Sequence, residues 1–162
     1  MRSPPASWTV FESPIGPLTL RGGAGRLTGL SFPGHVGRLG EAARDPAAFA
    51  EPLRQLAEYF DGRRQGFDLE LVLDGTAFER AVWHELTTIP YGATTSYGRL
   101  AEAIGCADRV RDVAAAIGRT PIPIVVPCHR VVGADGSLTG YGGGLERKRA
   151  LLDLEAGQLA LV

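Results

Sequence analysis

Only two cysteines occur in the 162 residues, Cys106 and Cys128, so no disulfide framework can hold this fold together. No apolar run approaches the ~18 residues that a bilayer span needs, and Met1-Arg2-Ser3-Pro4-Pro5 leads into no long apolar stretch. These two absences together lead to the expectation of a cytoplasmic protein whose thiols stay reduced. Charge of one sign is also lacking: the formal net charge is −1, and residues 76–162 hold nine Arg or Lys against nine Asp or Glu. That balance excludes a strongly basic field, so any nucleic-acid contact must be local and geometric. A zinc site needs about four suitably placed ligands, and Cys106, Cys128, His35, His84 and His129 have no metal spacing; no metal is expected. What remains is an ordinary globular composition, 44% hydrophobic and 22% charged, long enough for one domain or two small ones.

Residues 8–32 alternate apolar segments with turn chemistry, from Trp8-Thr9-Val10-Phe11 through Ser13-Pro14-Ile15-Gly16-Pro17 to Leu27–Phe32. An antiparallel meander is expected there. Phe49, Leu53, Leu56 and Phe60 share one helical face within 47–60, and Asp61-Gly62 stops that helix. Alternation over Phe67–Leu73 predicts one more half-buried strand. These elements make a small N-terminal domain over residues 1–75, with Asp74-Gly75 as its boundary.

Thr76-Ala77-Phe78-Glu79 is a capping box that opens a helix burying Phe78, Ala81, Val82 and Leu86. Ser96 caps a second helix with Tyr97, Leu100, Ala101 and Ile104 facing inward, and Gly105 closes it. A third, from about Asp108 to Gly118, buries Val110, Val113, Ala114 and Ile117. This pair of short helices predicts a helix-turn-helix within a mostly helical domain over 76–162. On the third helix Arg111, Ala115 and Gly118 share a face, where one long cation beside small residues lets a backbone come close; a solvated surface arginine is the plainer reading.

The run Ile122-Pro123-Ile124-Val125-Val126-Pro127-Cys128-His129-Arg130-Val131-Val132 reads as a buried strand presenting a cysteine. By residue type alone Cys128 is equally a small buried hydrophobe or a nucleophile. A last helix from Leu145 to about Ala156 has Leu145, Leu151, Leu152 and Leu159 on its stripe, and Glu155 lies on that stripe. A carboxylate on an apolar face is costly without a hydrogen-bonded partner, so Glu155 points to a site. Cys128, His129 and Glu155 are the three residue types a thiol nucleophile needs: thiol, base and orienting acid. Neighbours on a regular strand face opposite ways, so Pro127 must turn the backbone for Cys128 and His129 to cooperate. The glycines of Tyr141-Gly142-Gly143-Gly144 lack the context of a dinucleotide fingerprint, so no nucleotide cofactor is expected.

The chain resembles the O-6-alkylguanine-DNA alkyltransferases, also called methylated-DNA-protein-cysteine methyltransferases. The likeness rests on Ala77-Phe78 with Val82-Trp83, Ile89-Pro90-Tyr91-Gly92, Thr95-Ser96-Tyr97-Gly98, Pro127-Cys128-His129-Arg130-Val131 and Tyr141-Gly142-Gly143-Gly144-Leu145. The Ser13–Leu18 turn is similar to the family's first domain. The resemblance implies an α+β fold: an N-terminal domain with an antiparallel sheet, and a helical domain carrying the helix-turn-helix and a short active-site strand. It implies a single-use repair protein that flips an alkylated guanine out of double-stranded DNA, as a monomer and without a cofactor, and takes the alkyl group onto Cys128. His129 would take the thiol proton through a water, Glu155 would orient His129, and Tyr97 would donate toward guanine nitrogen 3. Arg111 would fill the space left in the duplex, beside Ala115 and Gly118, while backbone groups of Cys128 and Val131, with the glycine loop around Tyr141 and Gly142, would read and enclose the base.

Two positions depart from the family pattern. Thr120 stands before Pro121 where asparagine is usual at the hinge, and Asp112 follows the arginine where small apolar residues are common. Threonine has no amide and cannot make asparagine's full set of hydrogen bonds. A non-catalytic damage sensor is the main rival, but that branch lacks the acceptor cysteine; a relative with altered substrate is the other. A papain-like hydrolase would have no use for a helix-turn-helix.

Overall fold

A computed structural model describes residues 6–37 and 39–157. Strands β1 (Ser7–Ser13), β2 (Gly16–Gly23) and β3 (Arg26–Ser31) form the expected meander. The β2–β3 turn places Ala24 and Gly25 both at positive φ, the conformation that a two-residue hairpin with matching twist demands. A short strand β4 (Ala43–Arg44), invisible in the sequence pattern, pairs parallel to β1 and completes the order β3-β2-β1-β4.

Phe67–Leu73 forms no strand; it touches the sheet at a single bridge between Leu27 and Leu71. The edge of β3 is shared by two segments, which explains the shortfall. Leu27 exchanges bonds with Glu70 and Val72, whereas Leu30 N–H donates to the Pro121 carbonyl at 3.0 Å. The alternating leucines still pack on the core from an extended chain.

Helix α1 (Ala50–Phe60), entered through a 3-10 turn at Pro46–Phe49, lays Leu56, Tyr59 and Phe60 on the sheet residues Leu18, Leu20, Leu27 and Leu30. Ile122, Ile124 and Leu151, from the second half of the chain, complete this same core. The sheet is thereby fastened to the segment that carries Cys128.

Helix α2 (Ala77–Leu86) starts at Thr76 with both reciprocal bonds of the capping box formed. Its buried residues are Val82, Trp83 and Leu86; Ala81 is exposed. Trp83 crosses to α4 (Val110–Gly118), donating its indole N–H to the Ala116 carbonyl at 2.8 Å. The two-residue strand β5 (Thr95–Ser96) leads into α3 (Tyr97–Ala103), capped by Ser96. The α3-turn-α4 unit contains Gly105 at φ +74° and a 3-10 turn at Ala107–Arg109. Its second helix buries Val113, Ala116 and Ile117, so Ala116 takes the core place expected of Ala114. Ala114 faces a cavity instead, because the stripe packed against α2 lies on the 113, 116, 117 side.

Strand β6 (Val131–Val132) pairs parallel to β5, and α5 (Leu145–Glu155) closes the fold. Its buried residues are Lys148, Leu151 and Glu155, while Leu145 is 47% exposed at the first turn. Leu159, expected on this stripe, lies outside the described residues. Among the described residues no helix is long and apolar enough to cross a membrane.

Candidate active site

The apolar run before Cys128 is not a strand. Val126 N–H returns to the Ile122 carbonyl at 2.9 Å, Pro123 bridges to Val126, and Ile124 takes φ +75°, an outlier for a β-branched residue. Two prolines deny the run ladder donors, and its buried side chains hold it folded back on itself. After Pro127 the chain enters a 3-10 turn, Cys128–Arg130, and becomes strand only at Val131. Successive side chains on such a turn diverge by about 120°. Cys128 therefore faces the cavity while His129 and Arg130 face inward.

Behind the turn is a buried polar cluster centred on Glu155. His129 Nε2 lies 2.8 Å from Oε2, Tyr59 donates its hydroxyl to the same oxygen at 2.6 Å, and Arg130 donates Nε to Oε1 at 2.7 Å and Nη2 to Oε2 at 2.9 Å. The remaining Arg130 group, Nη1, donates to the Ile89 carbonyl at 2.7 Å. Burial alone would raise the Glu155 pKa; hydrogen bonds from His129 and Arg130 outweigh it and hold the carboxyl at about 2. Glu155 is thus an anion near neutral pH and can only accept.

That fixes the imidazole tautomer. Nε2 must carry the hydrogen toward Glu155, which leaves Nδ1 as the lone-pair nitrogen, and Nδ1 has no hydrogen-bond partner among the described residues. Burial lowers the His129 pKa, with the Arg130 and Lys148 charges acting in the same direction and Glu155 against them. His129 is thus a neutral imidazole with a free acceptor nitrogen, on the residue that follows Cys128 in the chain.

Burial pushes the Cys128 thiol to about 11, while the Thr120 hydroxyl, the Lys148 charge and the Tyr141 hydroxyl pull the other way. Tyr141 OH is buried with no partner of good hydrogen-bond geometry among the described residues, so its influence on the thiol is through proximity. The Thr120 hydroxyl donates to the Ile117 carbonyl at 2.6 Å and so can offer the sulfur only a lone pair until it rotates.

Cys128 sits in the wall of a cavity of about 860 Å³ that Tyr97, Arg111, Gly118, Thr120, Tyr141 and Gly142 also line. Tyr97 starts α3 and its hydroxyl accepts from Thr139 Oγ1 at 3.0 Å. Arg111 is exposed on α4, and its neighbour Asp112 pairs with Arg109 at 3.1 Å. Ala115 is exposed on α4 outside the cavity, as Arg111 and Gly118 are exposed, and Ala114 lines the cavity. The Val131 side chain is buried in the core where β6 pairs Val131 with Thr95, while its backbone, the part expected to meet the base, directly follows the Cys128–Arg130 turn.

Three participants escaped the sequence reading. Tyr59 reads there as an ordinary residue of an amphipathic helix, and nothing local connects it to Glu155, 96 residues away. Arg130 was visible only as part of a motif. Lys148 sits in an Arg-Lys-Arg run that looks like solvated surface, yet it is 1% exposed and donates Nζ to the Thr139 carbonyl at 2.9 Å. Its position on the stripe of Leu151 and Glu155, three and seven residues ahead of them, was the available signal.

A buried thiol backed by an imidazole and a carboxylate, opening on a cavity walled by the second helix of a helix-turn-helix, defines a cysteine-nucleophile protein built to meet DNA. Family models place it more narrowly. Residues 7–73 match the ribonuclease-like domain of 6-O-methylguanine DNA methyltransferase, and residues 77–157 match that enzyme's DNA-binding domain. The methylated-DNA–protein-cysteine methyltransferase of Mycobacterium tuberculosis is 50% identical over 153 residues, covering 91% of each chain. That of Methanosarcina barkeri is 43% identical over 155 residues, covering 94% of this chain and 98% of its own. The crystal structure of Mycobacterium tuberculosis OGT in complex with DNA superposes with a TM-score of 0.90 at 50% identity, covering 94% of each chain. This chain belongs to the 6-O-methylguanine DNA methyltransferase family.

Proposed function

We propose that this protein repairs alkylated DNA by moving the alkyl group from oxygen 6 of guanine to the sulfur of its own Cys128, once per molecule. The observation that carries the reading is the tautomer-locked His129, whose free Nδ1 belongs to the residue next to a cavity-facing thiol. The thiol proton passes to Nδ1, directly or through a water, as sulfur attacks the alkyl carbon. The S–C bond forms, the C–O6 bond breaks, and its electron pair stays on the departing guanine. Tyr97, at the cavity wall, donates toward the ring nitrogen where that charge collects, and Glu155 offsets the charge appearing on His129.

A base inside a duplex cannot reach a buried thiol, so the damaged nucleotide must be flipped into the cavity. Its walls, including Tyr141 and Gly142, suit a planar aromatic guest, and the Val131 backbone stands next in chain to the catalytic turn. Arg111, exposed at the cavity and flanked by Gly118 and Ala114, is placed to fill the vacated stack; Ala115 lies on the adjoining exposed face. Thr120 links α4 to the catalytic turn. Residues 1–75 act as a supporting unit and 76–162 as the unit that binds and reacts. The site is complete within one chain, which supports a monomer, and two free cysteines suit the reducing cytoplasm.

The test is incubation with a duplex containing O6-methylguanine, followed by intact-mass measurement. A single methyl-sized increment mapping to Cys128, and absent in Cys128→Ser, is the expected result. Retained binding of the damaged duplex without any increment would instead make the protein a sensor.

A further inference from the structure

The least expected member of the Glu155 cluster comes from the sheet-bearing half of the molecule. Tyr59, on α1, is wholly buried and its hydroxyl reaches Oε2 at 2.6 Å, the same oxygen that receives His129 Nε2 at 2.8 Å. Arg130 Nη2 is the third donor to that oxygen, at 2.9 Å, and the three compete for its charge: what Tyr59 takes, His129 does not get. We propose that Tyr59 is a positioning residue that sets the basicity of His129 through Glu155, so that the N-terminal half tunes the proton transfer rather than only supporting it. The inference rests on the reading of Cys128, His129 and Glu155 given above.

The surroundings narrow the alternatives. The charged or titratable groups around His129 are Glu155 and Lys148 from α5, Arg130 and Cys128 from its own turn, and, one contact further, Tyr59 from α1, Tyr91 from the loop after α2 and Tyr141 from the loop before α5. Arg130 already uses its guanidinium on both carboxylate oxygens and Ile89, so it cannot take over a donation that Tyr59 gives up. Tyr91 packs edge-on against Tyr59, but its hydroxyl is directed to the Leu154 carbonyl at 3.5 Å. Tyr59 cannot ionise to release its hold: burial and then the Glu155 charge raise its pKa far above the usual value. The donation is permanent, and it keeps Oε2 from drawing a proton onto the imidazole, which must stay neutral to act as a base.

Tyr59→Phe keeps the ring and removes only the donor. Oε2 then carries more charge toward His129, and the imidazolium gains stability. We expect the His129 pKa, followed by 15N NMR of a protein with only three histidines, to rise by about 0.5 to 1 pH unit. The acid limb of the single-turnover methyl-transfer profile should move up with it, lowering the rate about three- to tenfold below the midpoint. Tyr91→Phe, which removes a neighbouring hydroxyl that does not touch Glu155, should move neither. Difluorotyrosine placed at position 59 keeps the bond and strengthens the donor, so it should move both quantities the opposite way; it decides the matter if Tyr59→Phe does not fold. An unchanged His129 titration in a folded position-59 variant, or an equal shift in Tyr91→Phe, overturns the proposal. A wild-type protein that transfers no methyl group to Cys128 overturns the underlying reading instead, and the NMR titration still reports on Tyr59 alone.

Discussion

Replacing Glu155 by glutamine removes one charge and changes almost no shape, so it isolates what that charge does. The folded carboxyl has a pKa of about 2 against 4.5 for the free group. Because the folded value is depressed, the stabilisation is present above pH 4.5 and is lost as pH falls toward 2; fully expressed, it is about 3 kcal/mol. At neutral pH the loss should be larger than this, about 3 to 5 kcal/mol, since glutamine presents an amide to the Arg130 guanidinium and leaves a buried cation without its anion. Urea unfolding followed by tryptophan fluorescence measures both proteins across pH. The other carboxylates are common to the two and cancel; His129 does not, because Glu155 raises its pKa, so its titration is followed by NMR in both proteins and subtracted before the difference is assigned to position 155. We expect that difference to narrow by about 2 kcal/mol between pH 5 and pH 3 as the wild-type protein loses what the variant never had. A difference that stays constant within about 0.5 kcal/mol over that range would show that the cluster does not hold the carboxyl near 2.

Thr120→Val keeps the shape at the hinge and removes the hydroxyl that lowers the thiol pKa, so Cys128 should react at least about twofold more slowly with iodoacetamide at pH 8.5, while Cys106 in the same protein serves as an unaffected reference. An unchanged Cys128 rate would mean that the hydroxyl, committed to Ile117, gives the thiolate no support. Asp112→Ala frees Arg109, which sits 4.3 Å from the Phe78 ring centroid and pairs with Asp112 at 3.1 Å, and should tighten DNA binding about two- to fivefold at low salt. Equal affinities by fluorescence anisotropy would place Asp112 away from the phosphates.

The parts of the fold that the sequence announced are those with local causes. The Thr76 capping box needs only residues 76–79, and the helix-turn-helix follows from Ser96, Gly105 and two apolar stripes. Glu155 was legible because an acid on an apolar stripe violates a local rule. The run from Ile122 to Val126 misled because β-branched residues favour strands, whereas its folded-back path is set by buried contacts with the sheet that no local pattern carries. Phe67–Leu73 had the right alternation but found its edge partner already shared with Pro121. Tyr59 and Lys148 were hidden because what matters about them is a partner on another element.

The resting state of the site follows from its two perturbed groups taken together. With the thiol pushed to about 11 and His129 lowered below its ordinary 6.5, the stable pair at neutral pH is thiol and imidazole, both uncharged. Moving the proton between them costs at least roughly 6 kcal/mol before their mutual attraction is counted. Thiolate therefore does not accumulate, and a protein that can react only once is protected from stray electrophiles. The cost is recovered only when an acceptor for the displaced electron pair is in place; in the proposed mechanism a guanine in the cavity, with Tyr97 donating to it, is that acceptor. Selectivity for damaged DNA is in this way partly a matter of proton position: burial that makes Cys128 a poor nucleophile in isolation confines its reaction to a bound, polarised base.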